Sequence, residues 1–248
     1  MKNWKRPRRG GWMKYVLFDV DHTLVDVKGA GARALSWALK EIFGNGEVVG
    51  ELDLAGKTDL QIVKEALSKM GVESSHGIVE KICEEYTSRL KLEMETHGGE
   101  VLPGVRELLK LLHETSGIYL GLLTGNLEEG ARLKLEPFGL NGFFRVGAFG
   151  GDHEDRDQLL PIAIERLEGL EGIRPGYDEC IVVGDTPRDV RCAKVHGALA
   201  IGVATGRFSM DTLAKAGTDL VLPDLRQTGM ILEWIKEIPR TGPLRELG

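Results

Sequence analysis

Val16-Leu17-Phe18-Asp19-Val20-Asp21-His22-Thr23-Leu24 is an apolar run that ends in two carboxylates one residue apart. A companion stretch, Cys180-Ile181-Val182-Val183-Gly184-Asp185-Thr186-Pro187-Arg188-Asp189, repeats the arrangement far downstream. Each apolar run reads as a buried strand, with its first carboxylate where the strand ends. In an open parallel α/β sheet, ligands bind outside the carboxyl ends of the strands. Carboxylates converging there suit a hard, oxygen-seeking cation such as magnesium. The pattern points to a metal-dependent enzyme.

Working outward, the residues after the first strand carry helical rather than strand periodicity. Ala34, Leu35, Ala38, Leu39 and Ile42 predict a helix over 30–43. Leu60, Val63, Leu67 and Met70 predict another over 59–70, and Ile78, Ile82, Tyr86 and Leu90 a third over 75–95. Three apolar helix faces need partners, and packing on one another makes a small helical domain, placed at residues 26–97. The sheet pattern then resumes. Strands are expected at 119–123, 145–149, 180–183, 198–203 and 220–222, separated by helices at 105–113, 127–136, 157–168 and 187–195, with a last helix at 228–238. That alternation implies crossover connections and a mostly parallel sheet, so the fold class is α/β. The core is expected to be discontinuous, residues 15–25 and 98–238, preceded by a basic extension at 1–14.

Composition narrows the function classes. The chain has 248 residues, a formal net charge of -6 and a sequence pI near 5.6. Nucleic acid is disfavoured as a main partner, since phosphate backbones select basic faces. The exception is the start, where Lys2, Lys5, Arg6, Arg8, Arg9 and Lys14 surround Trp4 and Trp12; a frayed terminus is preferred there over a nucleic-acid or membrane-surface arm. No apolar run approaches the roughly 18 residues of a membrane span, so no membrane partner is expected. The basic start has no apolar signal-peptide region behind it. Cys83, Cys180 and Cys192 lack the spacing of a disulfide framework or a zinc site. A cytoplasmic location fits. The strings GxxxxGK[ST] and GxGxxG are both absent, so neither a P-loop nor a dinucleotide site is supported.

Several residues offer chemistry. Two neighbouring carboxylates such as Asp19 and Asp21 can split roles, one ionised as nucleophile and the other moving a proton. Thr23 adds a hydroxyl; by itself the DxDxT string also describes a turn and helix cap. Thr124-Gly125-Asn126 ends the next strand and can hold a phosphoryl oxygen at a helix N-terminus, or simply cap that helix. Arg156 is the basic residue in the 151–157 loop best placed to neutralise developing negative charge. Asp185 and Asp189 lie four apart, across a strand end and a helix start. They can face one cation, or Asp189 can serve helix-start electrostatics.

Taken together, these stretches resemble the haloacid dehalogenase-like superfamily, in particular its phosphatase branch, which includes phosphoglycolate phosphatase and β-phosphoglucomutase. The resemblance runs from about Tyr15 to Leu222. It implies a Rossmann-like core with an inserted helical cap. It also implies that Asp19 is an aspartyl nucleophile, Asp21 its acid/base partner and Thr124 the threonine motif. Asp185 would be the firmest magnesium ligand, within a set of Asp19, Asp21, Asp185, Asp189 and the Val20 carbonyl. Two positions depart from the family: His22 stands where glycine is usual, and Arg156 stands for the usual lysine, with Lys134 a weaker substitute because it lies on the earlier helix. Gly56-Lys57-Thr58-Asp59 resembles the family's cap loop, so Lys57, and Arg33 on the first cap helix, are expected to bind substrate beyond its phosphate; both also read as surface residues.

The expected activity is magnesium-dependent hydrolysis of a small phosphorylated metabolite through an aspartyl-phosphate, with phosphoglycolate one candidate. Dehalogenation of 2-haloacids would leave Asp21 and the Asp185/Asp189 pair idle. A phosphosugar mutase shares the machinery, and a non-catalytic binding domain is the remaining rival. Monomer and homodimer stay open, since no heptad stripe decides between them.

Overall fold

The computed structural model describes residues 12–238. Most of the expected basic extension therefore lies outside the described residues. Its centre is the parallel sheet that the two acidic stretches predict. β1 (Lys14–Phe18), β4 (Ile118–Leu123), β5 (Val146–Ala148), β6 (Cys180–Gly184), β7 (Leu199–Val203) and β8 (Leu220–Leu222) form six strands in the order β5-β4-β1-β6-β7-β8. Every neighbouring pair is parallel, and β1 sits between β4 and β6, with Phe18 opposite both Leu122 and Val183.

β1 is apolar along most of its length because both faces are covered. Val16 and Phe18 enter one core, while Tyr15 and Leu17 enter the other. Helices α6 (Leu159–Glu171) and α7 (Pro187–Lys194) supply Leu160, Ile164, Val190 and Ala193 to the Tyr15 side. Helices α4 (Val105–Glu114) and α9 (Thr228–Glu237) supply Leu108, Leu112, Ile231 and Ile235 to the Val16 side. The chain runs from β1 to β4 on one side and later places β6 on the other. The crevice at the carboxyl end of β1 is thus the switch point where ligands bind in open sheets.

Between β1 and β4 the chain makes a helical layer of α1 (Ala30–Phe43), α2 (Asp59–Lys69) and α3 (His76–His97), with α1 packed along α3. The chain enters and leaves this layer through a small antiparallel ribbon, β2 (Val25–Asp26) and β3 (Glu100–Val101), with Val25 opposite Val101. Two residues per strand are too few to show alternation, so the sequence carries no sign of the ribbon. α5 (Glu128–Leu135) follows β4, and α8 (Met210–Lys215), a helix the periodicity does not reveal, precedes β8. The 157–168 segment begins as a 3₁₀ turn over Arg156–Gln158 before the α-helix starts.

Candidate active site

Asp19 leaves β1 with its amide bonded to the Val183 carbonyl at 2.9 Å, which locks the strand end against β6. The next residues curl back. The Val20 carbonyl accepts from the amides of Thr23, Leu24 and Val25 at 3.4, 2.9 and 3.1 Å. His22 takes φ 56°, a left-handed conformation that costs a non-glycine residue on the order of 1 kcal/mol. Glycine would meet that requirement freely.

Three carboxylates converge at the strand ends. One oxygen from each of Asp19, Asp185 and Asp189 falls within 4.8 Å of the others, and all three side chains are buried. Arg156 from the 3₁₀ turn enters the same space. Its Nη2 donates to Asp19 Oδ1 at 3.1 Å and also to Asp189 Oδ1, while Nη1 donates to the Gly56 carbonyl at 3.0 Å. Burial pushes the Asp19 carboxyl up to about 7, with Asp189 and Asp21 adding to the rise, although Arg156 and the Thr124 hydroxyl oppose it. Burial likewise pushes Asp185 up to about 9, helped by Asp189 and Asp19. Three buried acids face one buried guanidinium, and this excess negative charge is what a divalent cation would neutralise.

Asp189 is doubly employed. Thr186 and Asp189 form a reciprocal cap on α7: the Asp189 amide donates to Thr186 Oγ1, while the Thr186 amide and hydroxyl donate to Asp189 Oδ2 at 2.9 and 2.7 Å. With Oδ1 on Arg156, both oxygens are taken. Asp189 therefore fixes the helix and the arginine and offers less to a cation than Asp185 does.

Asp21 points elsewhere. Its Oδ2 accepts from Lys134 Nζ at 2.6 Å and from Asn126 Nδ2 at 2.8 Å. Desolvation alone would raise its carboxyl, but Lys134 and the Asn126 amide hold it below the usual carboxylate range. Asn126 also reaches back to Thr124 Oγ1 at 2.8 Å and accepts from Lys134 at 2.5 Å. Asp59, at the start of α2, accepts from the Leu127 amide at 2.8 Å and from the Tyr86 hydroxyl. Desolvation raises its carboxyl to about 6 against the pull of Lys134 and the Leu127 amide.

The helical layer closes over this crevice through direct bonds. The Asp59 amide donates to the Gly125 carbonyl at 2.7 Å, Thr58 Oγ1 to the Glu154 carbonyl at 2.6 Å, and Arg188 Nη1 to the Ala55 carbonyl at 2.5 Å. Gly125 permits the approach, because a Cβ there would stand 2.0 Å from the Lys57 carbonyl oxygen. Lys57 lines the crevice and pairs with Glu65.

Several expectations need correction. The Val20 carbonyl already accepts three amides, so it has no lone pair left for a metal. The Asp21 carboxylate stands outside the acidic cluster, held by Lys134. Arg33 faces away from the crevice, with Nε on Glu93 at 2.7 Å, because its helix position lies beside, not on, the buried face that Ala34 marks. Thr23 is buried behind the turn, its hydroxyl without a hydrogen-bond partner, and it does not line the crevice. Lys134 reverses its ranking. A buried lysine near the end of α5, it reaches the site with its long stem. Arg156 and Lys134 serve different carboxylates and are not substitutes for each other.

The family model of haloacid dehalogenase-like hydrolases matches residues 16–203. The chain belongs to the haloacid dehalogenase-like hydrolase family. A phosphoglycolate phosphatase from Pseudomonas fluorescens is 28% identical over 228 residues, which cover 86% of this chain and 78% of that protein. The tyrosine-protein kinase PtkA of Mycobacterium tuberculosis is 29% identical over 209 residues, 83% of this chain and 67% of that one. Among solved structures, CbbY from Rhodobacter sphaeroides, crystallised with phosphate, superposes with a TM-score of 0.68 at 18% identity, covering 88% of this chain and 96% of CbbY. That likeness carries the α/β fold. No helix among the described residues is long and apolar enough to cross a membrane.

Proposed function

We propose that this hydrolase is a phosphatase of small phosphomonoesters, acting through an aspartyl-phosphate on Asp19 with magnesium as cofactor. The observation that carries the reading is the division of labour between the two carboxylates: Asp19 lies among acids and Arg156, while Asp21 lies on Lys134 and Asn126. Asp19 oxygen attacks phosphorus, and the bond from phosphorus to the ester oxygen breaks. The departing alcohol oxygen takes a proton from Asp21. Asp21, now a carboxylate favoured by Lys134, takes a proton from water as that water attacks the aspartyl-phosphate. The bond from Asp19 to phosphorus then breaks, releasing phosphate and restoring both carboxyl groups. The incoming phosphate charge raises Asp21 and so supplies the protonated form for the first step.

Arg156 and Thr124 orient the transferring group, assisted by Gly125 and Asn126. Asp19, Asp185 and the backbone carbonyl of Asp21 would hold magnesium; among the described residues no hydrogen bond ends on that carbonyl, unlike its Val20 and His22 neighbours. When bound, the cation offsets the charge of the carboxylates and the phosphoryl group and keeps Asp19 ionised. The helical layer of α1 to α3 acts as the cap that shields the crevice from water.

The test uses an aryl phosphate, rapid quenching and intact-protein mass measurement. Asp19→Asn forms no phosphoprotein. Asp21→Asn accumulates one, because an aryl leaving group needs little protonation while water activation is lost. A stable phosphoryl adduct on Asp21 in folded Asp19→Asn overturns the role assignment. Transfer of labelled phosphate to a sugar hydroxyl instead of water would identify a mutase.

A further inference from the structure

The crevice has a volume of about 650 Å³ and two unlike ends. At the sheet edge it is polar, lined by Asp19, Asp21, Thr124, Asn126, Arg156 and Asp185. Toward the helical layer the lining changes to Val27, Leu35, Leu52, Leu54, Ile62 and Val63. Val27, Leu35, Ile62 and Val63 are buried within the hydrophobic core, and Leu52 and Leu54 pack against it. These side chains come from the residue that follows β2, from α1, from the 52–55 loop and from α2, so the apolar end is built by several segments at once.

The lysines and arginines in the lining already have acidic partners. Lys57 pairs with Glu65, Lys134 with Asp21, Arg156 with Asp19 and Asp189, and Arg207 with Asp53. A substrate carrying a second anion beyond its phosphate would find each of these cations committed. Bringing an unpaired carboxylate against six aliphatic side chains is unfavourable, and a sugar's hydroxyls would lose their water there for few partners. A hydrocarbon chain or aromatic ring loses nothing by entering and gains by leaving water.

We propose that the helical layer selects phosphomonoesters of apolar alcohols, with the phosphate at the Asp19 end and an alkyl or aryl group against Leu54, Ile62 and their neighbours. The assignment rests on the phosphatase reading of the same crevice, and it separates this chain from the two-carbon acid phosphate named for its Pseudomonas relative. The cavity also exceeds what a two-carbon acid phosphate fills, and its size is that of sites for larger, mostly apolar ligands.

The experiment compares ethyl, butyl and hexyl phosphate with 2-phosphoglycolate and a hexose 6-phosphate, using the full chain with magnesium. kcat/KM rises by about fourfold per methylene along the alkyl series, since each buried methylene strengthens binding by that factor. 2-Phosphoglycolate falls below ethyl phosphate. Leu54 is half-buried on a loop, and Leu54→Lys places a cation at the apolar end. In that variant the hexyl-to-ethyl ratio drops and the phosphoglycolate-to-ethyl ratio rises at least several-fold. Calorimetry with ethylphosphonate, hexylphosphonate and phosphonoacetate gives the same ranking without turnover, hexylphosphonate binding tightest. If no ester is hydrolysed, aryl phosphates included, yet hexylphosphonate binds best, the phosphatase reading fails and the apolar selection stands. If esters are hydrolysed with no gain along the alkyl series, or with phosphoglycolate or the hexose phosphate ahead of hexyl phosphate, the phosphatase reading stands and the selection is overturned.

Discussion

Replacing Lys134 with methionine keeps most of the stem and removes the charge that faces Asp21. The lysine is nearly enclosed, with 4% of its side chain exposed, and Asp21 keeps 33%. Removing one partner of a buried ion pair costs about 3–5 kcal/mol, because the other charge is left without compensation. The lower end, about 3 kcal/mol, applies since Asp21 retains contact with water. For a chain of this size that corresponds to a melting point lower by about 6–12 °C. The pH dependence fixes the cause. Lys134 holds Asp21 below the usual carboxylate range, a contribution present above the unfolded value and lost as pH falls through the folded one. It also opposes the rise of Asp59 to about 6. Without Lys134 desolvation raises the Asp21 carboxyl and lifts Asp59 further, so ionising them above the usual carboxylate range costs stability. The deficit of Lys134→Met is therefore largest near about pH 8 and shrinks toward about pH 5. Thermal unfolding of both proteins at the two pH values, with magnesium fixed, measures it. A variant within about 0.5 kcal/mol of wild type at the higher pH, or a deficit that grows on acidification, would refute the assignment of Lys134 as the counter-charge of this crevice.

Two other perturbations probe the acidic cluster. In Gly206→Ala the new Cβ would stand 1.8 Å from Asp185 Oδ2, so the carboxylate must move; magnesium activation should need at least about tenfold more metal, read from a titration of activity and of thermal protection, and an unchanged titration would remove Asp185 from the ligand set. With magnesium chelated, the folded state binds protons more tightly than the unfolded one, because Asp19 is raised to about 7 and Asp185 to about 9. Stability then falls as pH rises from the ordinary carboxylate range through those values, and saturating magnesium flattens the fall; metal-free protein that gains stability across that interval would contradict the burial of uncompensated carboxylates.

What the sequence made legible follows from what leaves a periodic or terminal mark. Asp19 and Asp185 are visible because a both-faces-buried strand is a continuous apolar run whose end can be read directly. α1 and α2 are visible because Leu35, Leu39, Val63 and Leu67 recur at helical spacing. Arg156 stands out as the best-placed basic residue of a polar loop. Lys134 does not stand out, because nothing local says that a lysine on α5 will cross to a carboxylate 113 residues away in sequence. Tyr86 belongs to the buried stripe of α3, and the stripe hides that its hydroxyl meets Asp59. The misreading of the Val20 carbonyl has another origin: backbone acceptors are spent by the path of the turn, which side-chain types do not encode. Arg33 shows the converse limit, since a cation on the right helix but the wrong face finds Glu93 before it finds a substrate.

The β2–β3 ribbon has a consequence for how such a molecule can diversify. Val25 and Val101 stand opposite each other, so the long excursion between them departs from and returns to neighbouring points. The closure of that loop is already secured by the strands around it, and lengthening or exchanging the excursion carries an entropic penalty that grows only with the logarithm of its length. The acids at the sheet edge need not change when the excursion does. Inheritance can therefore act on two nearly separate registers, one that conserves how a bond is broken and one that renegotiates which molecule is brought to it.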